Sequence, residues 1–482
     1  MTTDGLAAVI VLAAGGGTRM RSATPKVLHA IGGRSLVGHA ITAARDAGPE
    51  HLVVVVRHER DRVVDHVSLV DPMALIADQD DVPGTGRAVE CGLAVLPDDV
   101  VGTVLVTMGD APLLTGETLR GLVTHHVATG AAVTVVTATL DDPSGYGRII
   151  RSDDGEVVAN VEHKDATDEQ LAICEVNAGM YAFDVAALRR ALRRVGRDNA
   201  QGEKYLTDVL AILHADQGRV SGFPIHDGWQ TEGVNDRVQL ARLGAELNRR
   251  IVEGWMREGV TVVDPKTTWI DADVALGRDV TIHPQTQIFG ASTIGSDVVI
   301  GPDSTIADVE VGDGAAIIRT HATLAVIGPG ARVGPFSYLR PGTVLGAGGK
   351  IGTFVETKNA QIGDGAKVPH LSYVGDAEIG AATNIGAGTI FANYDGVNKH
   401  KTTVGAHANT GANNTFVAPI NIGDGAATGG GTVVRRDVAP GALAVSTGPQ
   451  RNIDDWVHRK RAGSRAADAA TAAASRDSED QA

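Results

Sequence analysis

Cysteine is nearly absent. Cys91 and Cys174 are the only two in 482 residues, too few for a disulfide framework or a four-thiolate zinc site. That usage points to a reducing cytoplasm. An excess of basic residues is also missing: 43 Lys and Arg face 58 Asp and Glu, for a formal net charge of −15. This argues against a general nucleic-acid binder, which needs a basic face, but leaves room for small phosphorylated ligands held by a few placed cations. No apolar run approaches the roughly 18 residues that span a bilayer. The longest, Ala7–Ala14, has Asp4 upstream, lacks a basic leader and runs into three glycines, so it reads as a buried strand rather than a signal sequence. Aromatic residues are 4% of the chain, whereas glycine is abundant at 60 residues, calling for many tight or left-handed backbone positions. The length suggests two to four domains.

Up to about Asn235, short Val-rich runs (Ala8–Ala13, Leu52–Val56, Val101–Val106, Ala132–Val136) alternate with helix-length segments such as Leu36–Ala47 and Thr85–Leu96. This alternation predicts a mainly parallel sheet covered on both faces. Gly233–Gly259 reads as one connecting helix with Leu240, Leu243, Leu247 and Ile251 on a single stripe.

Beyond Val262 the period becomes six. Leu276, Ile282, Ile288, Ile294, Ile300 and Ile306 follow without a slip, and the register returns at Ile327–Ile351, Ile362–Val374 and Val404–Val434. Many of these residues precede a glycine. A period of six fits no α-helix; it fits short strands around a three-sided parallel β-helix, each hexad sending one apolar residue inward. Phe391–Thr403 interrupts the register as a polar and aromatic insertion, the kind of segment that forms a loop on a binding face. The tail from Ala462 is small, polar and aperiodic, and is expected to be disordered.

Two places carry chemistry. Leu12–Met20 (LAAGGGTRM) follows a strand directly, yet it lacks the last glycine of a dinucleotide fingerprint and the Gly-Lys-Ser/Thr of a Walker loop. Its amides, with Arg19 and Lys26 close behind, suit phosphate binding at a helix start; an ordinary strand-to-helix turn is the other reading. Taken singly, Asp110 also reads as a turn initiator, Asn235 as a helix N-cap, Lys26 as a solvated turn lysine and Glu162 as a surface carboxylate. In the hexad region, Arg340 and Lys358 stand 18 residues apart, so they should stack at one corner of successive coils and make a phosphate site. His283, His321, His400 and His407 have no spacing that suits a three-histidine zinc site.

The ordered segments LAAGGGTRMRSATPK, Gln79, Gly84–Gly86, Val106–Asp110, Gly145–Arg148, Val161–Asp165, Val176–Gly179 and Gly233–Asn235 resemble the sugar-1-phosphate nucleotidyltransferases. With the hexads behind them, Ala8 to Arg461 resembles the bacterial enzymes that join an N-acetylglucosamine-1-phosphate uridyltransferase to a glucosamine-1-phosphate N-acetyltransferase. The resemblance implies an α/β domain with a Rossmann-like, mainly parallel sheet (residues 1–232), a linker helix (233–260), a left-handed parallel β-helix (261–455) and a C-terminal segment (456–482). It implies UTP and acetyl-CoA as co-substrates, Mg²⁺, and a homotrimer, with neither nucleic acid nor membrane as partner. A single-function nucleotidyltransferase whose β-helix only regulates or assembles is the alternative.

By the same resemblance, Leu12, Ala13, Ala14, Gly15, Gln79, Gly84 and Thr85 surround the uridine. Arg19 and Lys26 act on the triphosphate, Asp110 and Asn235 hold Mg²⁺, and Gly147, Glu162 and Asn177 bind the sugar; Gly109 also belongs to this nucleotide and sugar site. On the β-helix, His370 is implied as general base, a role that suits a side chain with an ordinary pKa near 6.5. Arg340, Lys358, Tyr373, Asn384 and Lys399 are implied to hold glucosamine 1-phosphate, and Ala387, Asn393 and Tyr394 acetyl-CoA. The chain departs from the pattern at Gly16, at Arg87 where His is common, and at Ala412, Asn413, Gly430 and Thr447 in the coenzyme region.

Overall fold

The computed structural model describes residues 5–479 except 447 and 449, so Thr447 lies outside the described residues. The chain divides into two compact units, Met1–Gly330 and Ala331–Ala482.

In the first unit, strands β1 (Leu6–Leu12), β2 (His51–Val56), β3 (Leu75–Asp78), β4 (Thr103–Met108), β5 (Val133–Thr139), β6 (Arg148–Arg151), β7 (Val157–Val161), β8 (Glu175–Asp184) and β9 (Val220–Pro224) form one sheet. Its order is β9-β5-β8-β4-β1-β2-β3, with the β6–β7 hairpin paired to β8. β1 is parallel to β2 and β4, β2 to β3, and β5 to β9. β8 runs antiparallel to both β4 and β5, so the sheet is mixed where the sequence reads mainly parallel. The reversal follows from the connection: β5 reaches β8 through a hairpin and a short helical turn, and only a parallel neighbour needs a long crossover.

The continuous apolar runs are explained by burial on both faces. Ala8, Ile10 and Leu12 of β1 enter one core, while Leu6, Val9 and Val11 enter the other. Each fully buried aliphatic side chain contributes about 1.5–3 kcal/mol. The helix Leu36–Asp46 starts at Ser35, whose hydroxyl accepts from the Gly38 N–H at 2.9 Å. The connecting helix runs Arg237–Arg257 and is capped by Asp236, not Asn235, because the Asp236 carboxylate accepts from Gln239 N–H at 2.8 Å. Leu243 is fully buried, with Leu240 and Leu247 packed on the same cluster. The first hexad coils are tied to this unit: Asn248 donates to the Thr268 carbonyl at 2.8 Å and accepts from Ile270 N–H at 2.9 Å.

Within each unit the hexads build left-handed parallel β-helix. Ile282 pairs with Ile300 and Ile288 with Ile306 in the first unit; Val333 pairs with Ile351 and Thr357 with Val374 in the second. The inward residues are buried along every run, except that Leu276 is half-buried. The small residue that follows has a steric cause: a Cβ on Gly363 would come within 2.8 Å of the Ala381 nitrogen on the next coil. At the insertion the coil-to-coil spacing widens to 25 residues, as in Phe391↔Phe416, whose buried rings meet edge to face with centroids 5.1 Å apart.

The tail differs from expectation. Arg465–Glu479 is a helix. Its alanine content explains this, since alanine has the highest helix propensity and needs no apolar stripe.

Candidate functional sites

In the first unit the strand order reverses between β1 and β4, and the residues beyond their carboxyl ends face the crevice that open α/β sheets use for ligands. Two adjoining cavities, of about 460 and 260 Å³, share Leu12, Thr85, Met108 and Asp110 as walls. The smaller also takes in Ala13, Ala14, Gly15, Lys26, Gln79 and Gly84. The larger takes in Arg19, Gly147, Glu162, Asn177 and Asn235. Gly109 lines neither; its N–H donates to the Leu12 carbonyl at 2.9 Å and locks the end of β4 to that of β1.

Lys26 links the two cavities. Its ammonium pairs with the Asp110 carboxylate and lies 3.5 Å from the Asn235 side-chain oxygen. The glycine loop makes this possible: Gly17 has φ +59°, and a Cβ there would fall 2.5 Å from the Lys26 Cβ. The Asp110 carbonyl accepts from Val234 N–H at 2.9 Å, and Gln239 accepts from Asn235 N–H at 2.7 Å, so both oxygen-bearing side chains stand on braced backbone. Because Asp236 takes the cap, the Asn235 side chain is left for the site. One carboxylate and one amide oxygen are hard donors that suit Mg²⁺, which keeps several waters and binds with substrate phosphates rather than in an all-protein cage. No group of three or more His, Cys, Asp or Glu that could hold a metal occurs among the described residues.

On the far wall, Glu162 accepts from Thr207 Oγ1 at 3.2 Å and Asn160 Nδ2 at 3.3 Å. Burial nevertheless holds its pKa above the ordinary value of 4.5. Buried Asn177 donates to the Tyr181 hydroxyl at 2.5 Å and accepts from Gly179 N–H at 2.8 Å; its own N–H donates to the Gly147 carbonyl at 2.9 Å. Burial raises the pKa values of Tyr181 and Tyr146, keeping both phenols neutral.

Sequence reasoning missed Arg57, His58 and Glu203 in the smaller cavity and Thr207 and Gln239 in the larger. Position just past β2 could have found Arg57 and His58, and the four-residue step from Asn235 could have found Gln239. Thr207 left no signal.

In the second unit, Arg340 follows Leu339, which pairs with Thr357, so Arg340 and Lys358 sit at equivalent positions of successive coils. Arg340 pairs with Glu356 at 2.8 Å. The Lys399 side chain lies against Lys358 and pushes its pKa below the ordinary lysine value, an arrangement that an anion would relieve. Asn393 donates to Asp376 at 2.5 Å and lies 3.5 Å from the Tyr373 hydroxyl. Asn384 donates to Asn409 at 3.2 Å, and the Tyr394 hydroxyl donates to the Gly396 carbonyl inside the insertion. The Ala387 carbonyl accepts from Asn413 N–H at 2.7 Å, while a Cβ on Gly430 would lie 3.6 Å from the Ala412 carbonyl, so the departures at Ala412, Asn413 and Gly430 adjoin one another.

His370 stands apart. It is exposed on a different ladder, opposite Thr353, and its ring has no hydrogen-bond partner among the described residues. Beside it runs an apolar stripe: Phe336 and Phe354, stacked at 5.4 Å and each more than half exposed, and then exposed Leu371.

Residues 9–211 match the MobA-like NTP transferase domain family. The "Bifunctional protein GlmU" of Kineococcus radiotolerans is 62% identical over 464 residues, which cover 96% of this chain and 94% of that one. Proteins of the same name from Pseudarthrobacter chlorophenolicus and Mycobacterium avium are 60% and 59% identical, covering 97% and 98% of this chain and 96% and 97% of theirs.

Proposed function

The chain belongs to the family of the bifunctional GlmU proteins, and from that membership we propose how its residues divide two reactions between them. It is an enzyme with two transferase activities: acetylation of glucosamine 1-phosphate by acetyl-CoA, then uridylyl transfer from UTP to the resulting N-acetylglucosamine 1-phosphate with release of pyrophosphate. A nucleotidyltransferase with an assembly-only β-helix is not favoured, because the likeness runs at high identity through the hexad region.

For uridylyl transfer, the observation that carries the assignment is the Lys26 ammonium set between Asp110 and Asn235 at the strand-order reversal. The uridine lies in the smaller cavity. There Gln79, whose amide nitrogen donates to the Val82 and Gly84 carbonyls at 3.1 and 3.2 Å, turns its oxygen to accept from a base N–H. The sugar lies in the larger cavity, with its hydroxyls on Glu162, Asn177 and Gly147. Its phosphate oxygen attacks the α-phosphorus as the bond to the pyrophosphate breaks. Arg19 and Lys26 neutralise the charge that gathers on the leaving pyrophosphate. Asp110 and Asn235 would hold Mg²⁺, which neutralises phosphate charge when bound.

For acetyl transfer, Arg340, Lys358 and Lys399 hold the sugar phosphate, assisted by Tyr373 and Asn384. His370 takes the proton as the amine attacks the thioester and the coenzyme thiolate leaves. Acetyl-CoA runs past Ala387, Asn393 and Tyr394. The site is completed by trimerisation: Phe336, Phe354 and Leu371 are the seam that a second copy covers, bringing His370 to a neighbour's cations. The protein works in the cytoplasm, in keeping with its two free cysteines and with no helix, among the described residues, long and apolar enough to cross a membrane. Pyrophosphate release from UTP and N-acetylglucosamine 1-phosphate, lost in Lys26→Ala, tests the first assignment; release undiminished in that variant would refute it.

A further inference from the structure

The loop Gln79–Thr85 is short and gives Gln79, Pro83, Gly84 and Thr85 to the wall of the smaller cavity. Four charged residues from three segments alternate in sign around it. Arg87, in the first turn of the helix Thr85–Ala94, sends Nε to both Asp80 oxygens at 3.1 Å and Nη2 to Asp80 Oδ2 at 2.6 Å. Its remaining nitrogen, Nη1, reaches Glu90 at 3.1 Å, and Glu90 in turn pairs with Lys204. None of these four side chains lines either cavity.

Each end of this chain of charges grips the loop. Asp80 Oδ1 also accepts from Val82 N–H at 3.1 Å, while Gln79 donates to the Val82 carbonyl, so Val82 is held from both sides. At the other end, Lys204 N–H donates to the Pro83 carbonyl at 2.9 Å and the Lys204 carbonyl accepts from Gly86 N–H at 2.8 Å. That approach is so close that a Cβ on Gly84, which has φ +117°, would fall 2.3 Å from the Lys204 oxygen. Leu206 N–H donates to Thr85 Oγ1 at 3.1 Å.

We propose that Arg87 is a positioning residue for the nucleotide: its guanidinium, forked between Asp80 and Glu90, fixes the loop that presents Gln79 and Thr85 to the base. The proposal rests on the reading that this loop holds the uridine. A planar fork with donors in fixed directions suits this place, because Nε and Nη2 chelate Asp80 while Nη1 still reaches Glu90, a geometry that a single ammonium nitrogen does not reproduce. The side chains of Glu90 and Lys204 are 19% and 14% exposed and those of Arg87 and Asp80 34% and 46%, so salt partly screens the network.

The test is steady-state kinetics of uridylyl transfer on the full chain for Arg87→Met, Asp80→Asn and, as a control on the cavity itself, Gln79→Ala. The expected result for Arg87→Met is a KM for UTP raised roughly fivefold, with kcat and the KM for the sugar phosphate within about twofold of the parent. Asp80→Asn gives the same split without disturbing the helix, Arg87→Lys restores less than half of it, and raising KCl from about 0.05 to about 0.5 M narrows the gap to the parent. If Gln79→Ala raises the KM for UTP while Arg87→Met and Asp80→Asn leave it unchanged, the positioning role is overturned and the uridine reading stands. If all three leave it unchanged, the uridine reading falls and the positioning role falls with it.

Discussion

Lys26 and Asp110, 84 residues apart in sequence, form an ion pair just beyond β1 and β4 in which neither side chain is more than 13% exposed. The pair joins the glycine loop to the end of β4 and crosses the boundary between the smaller and the larger cavity. Its near-burial has a consequence for stability as well as chemistry, because one charge left without the other in a poorly solvated place is costly.

Lys26→Ala is therefore expected to lower uridylyl transfer by about 10²-fold or more and to lower the melting temperature. The double variant Lys26→Ala, Asp110→Ala should melt closer to the parent than either single one, since it leaves no unpaired charge. Calorimetry of the three variants checks this; additive losses would contradict it.

Glu162 gives a pH dependence. Burial, assisted by Asp165 and Asp208, raises its pKa against the hydrogen bonds from Thr207 and Asn160; Tyr181 and Tyr205 also face it. The folded protein thus binds this proton more tightly than the unfolded chain. The group's contribution to stability is full below the ordinary value of 4.5 and is lost as pH rises through the raised folded value. Glu162→Gln should gain stability relative to the parent across that window and hold the gain at neutral pH. In the parent, the KM for the sugar phosphate should climb as pH falls into the same window, and the climb should vanish in Glu162→Gln. Denaturant titrations and kinetics at a series of pH values read both.

His370→Ala should abolish acetyl transfer and leave uridylyl transfer from UTP to N-acetylglucosamine 1-phosphate intact. Separate assays with the two sugar phosphates check it. Loss of both activities together would point to unfolding rather than to the general base.

Phe336→Asp with Phe354→Asp places two charges on the exposed stacked pair. Light scattering should report a trimer for the parent and a smaller species for the double variant, with acetyl transfer lost and uridylyl transfer retained. A parent that is already monomeric would remove the basis for a seam.

What could be read from sequence was what repeats or what ends a strand. Ile282, Ile288 and Ile300 announce the solenoid because each coil applies the same rule of one apolar residue inward. Leu12–Gly15 and Asp110 stand out because they end strands whose burial on both faces makes them uniformly apolar. Contacts without a local pattern were not legible: Thr207 reaches Glu162 across 45 residues with an ordinary hydroxyl. Asn235 and Asp236 compete for one cap, and only the position of Gln239 decides between them. β8 reverses because of the hairpin before it, and the tail became a helix through alanine propensity, which hydrophobic periodicity does not register. The hexad spacing grouped His370 with Arg340 and Lys358, but within one chain it stands on a different ladder, opposite Thr353, a separation that spacing along the chain does not register.

The division of two activities between two residue sets is tested most directly by mixing Lys26→Ala and His370→Ala protein with Mg²⁺, UTP, acetyl-CoA and glucosamine 1-phosphate, and following UDP-N-acetylglucosamine by mass spectrometry. His370→Ala alone should give none and Lys26→Ala alone only about a hundredth of the parent's product or less, whereas the mixture should give product readily, because the N-acetylglucosamine 1-phosphate released by the Lys26→Ala protein feeds the His370→Ala protein. Product from His370→Ala alone, or none from the mixture while the parent enzyme makes it, would contradict the division.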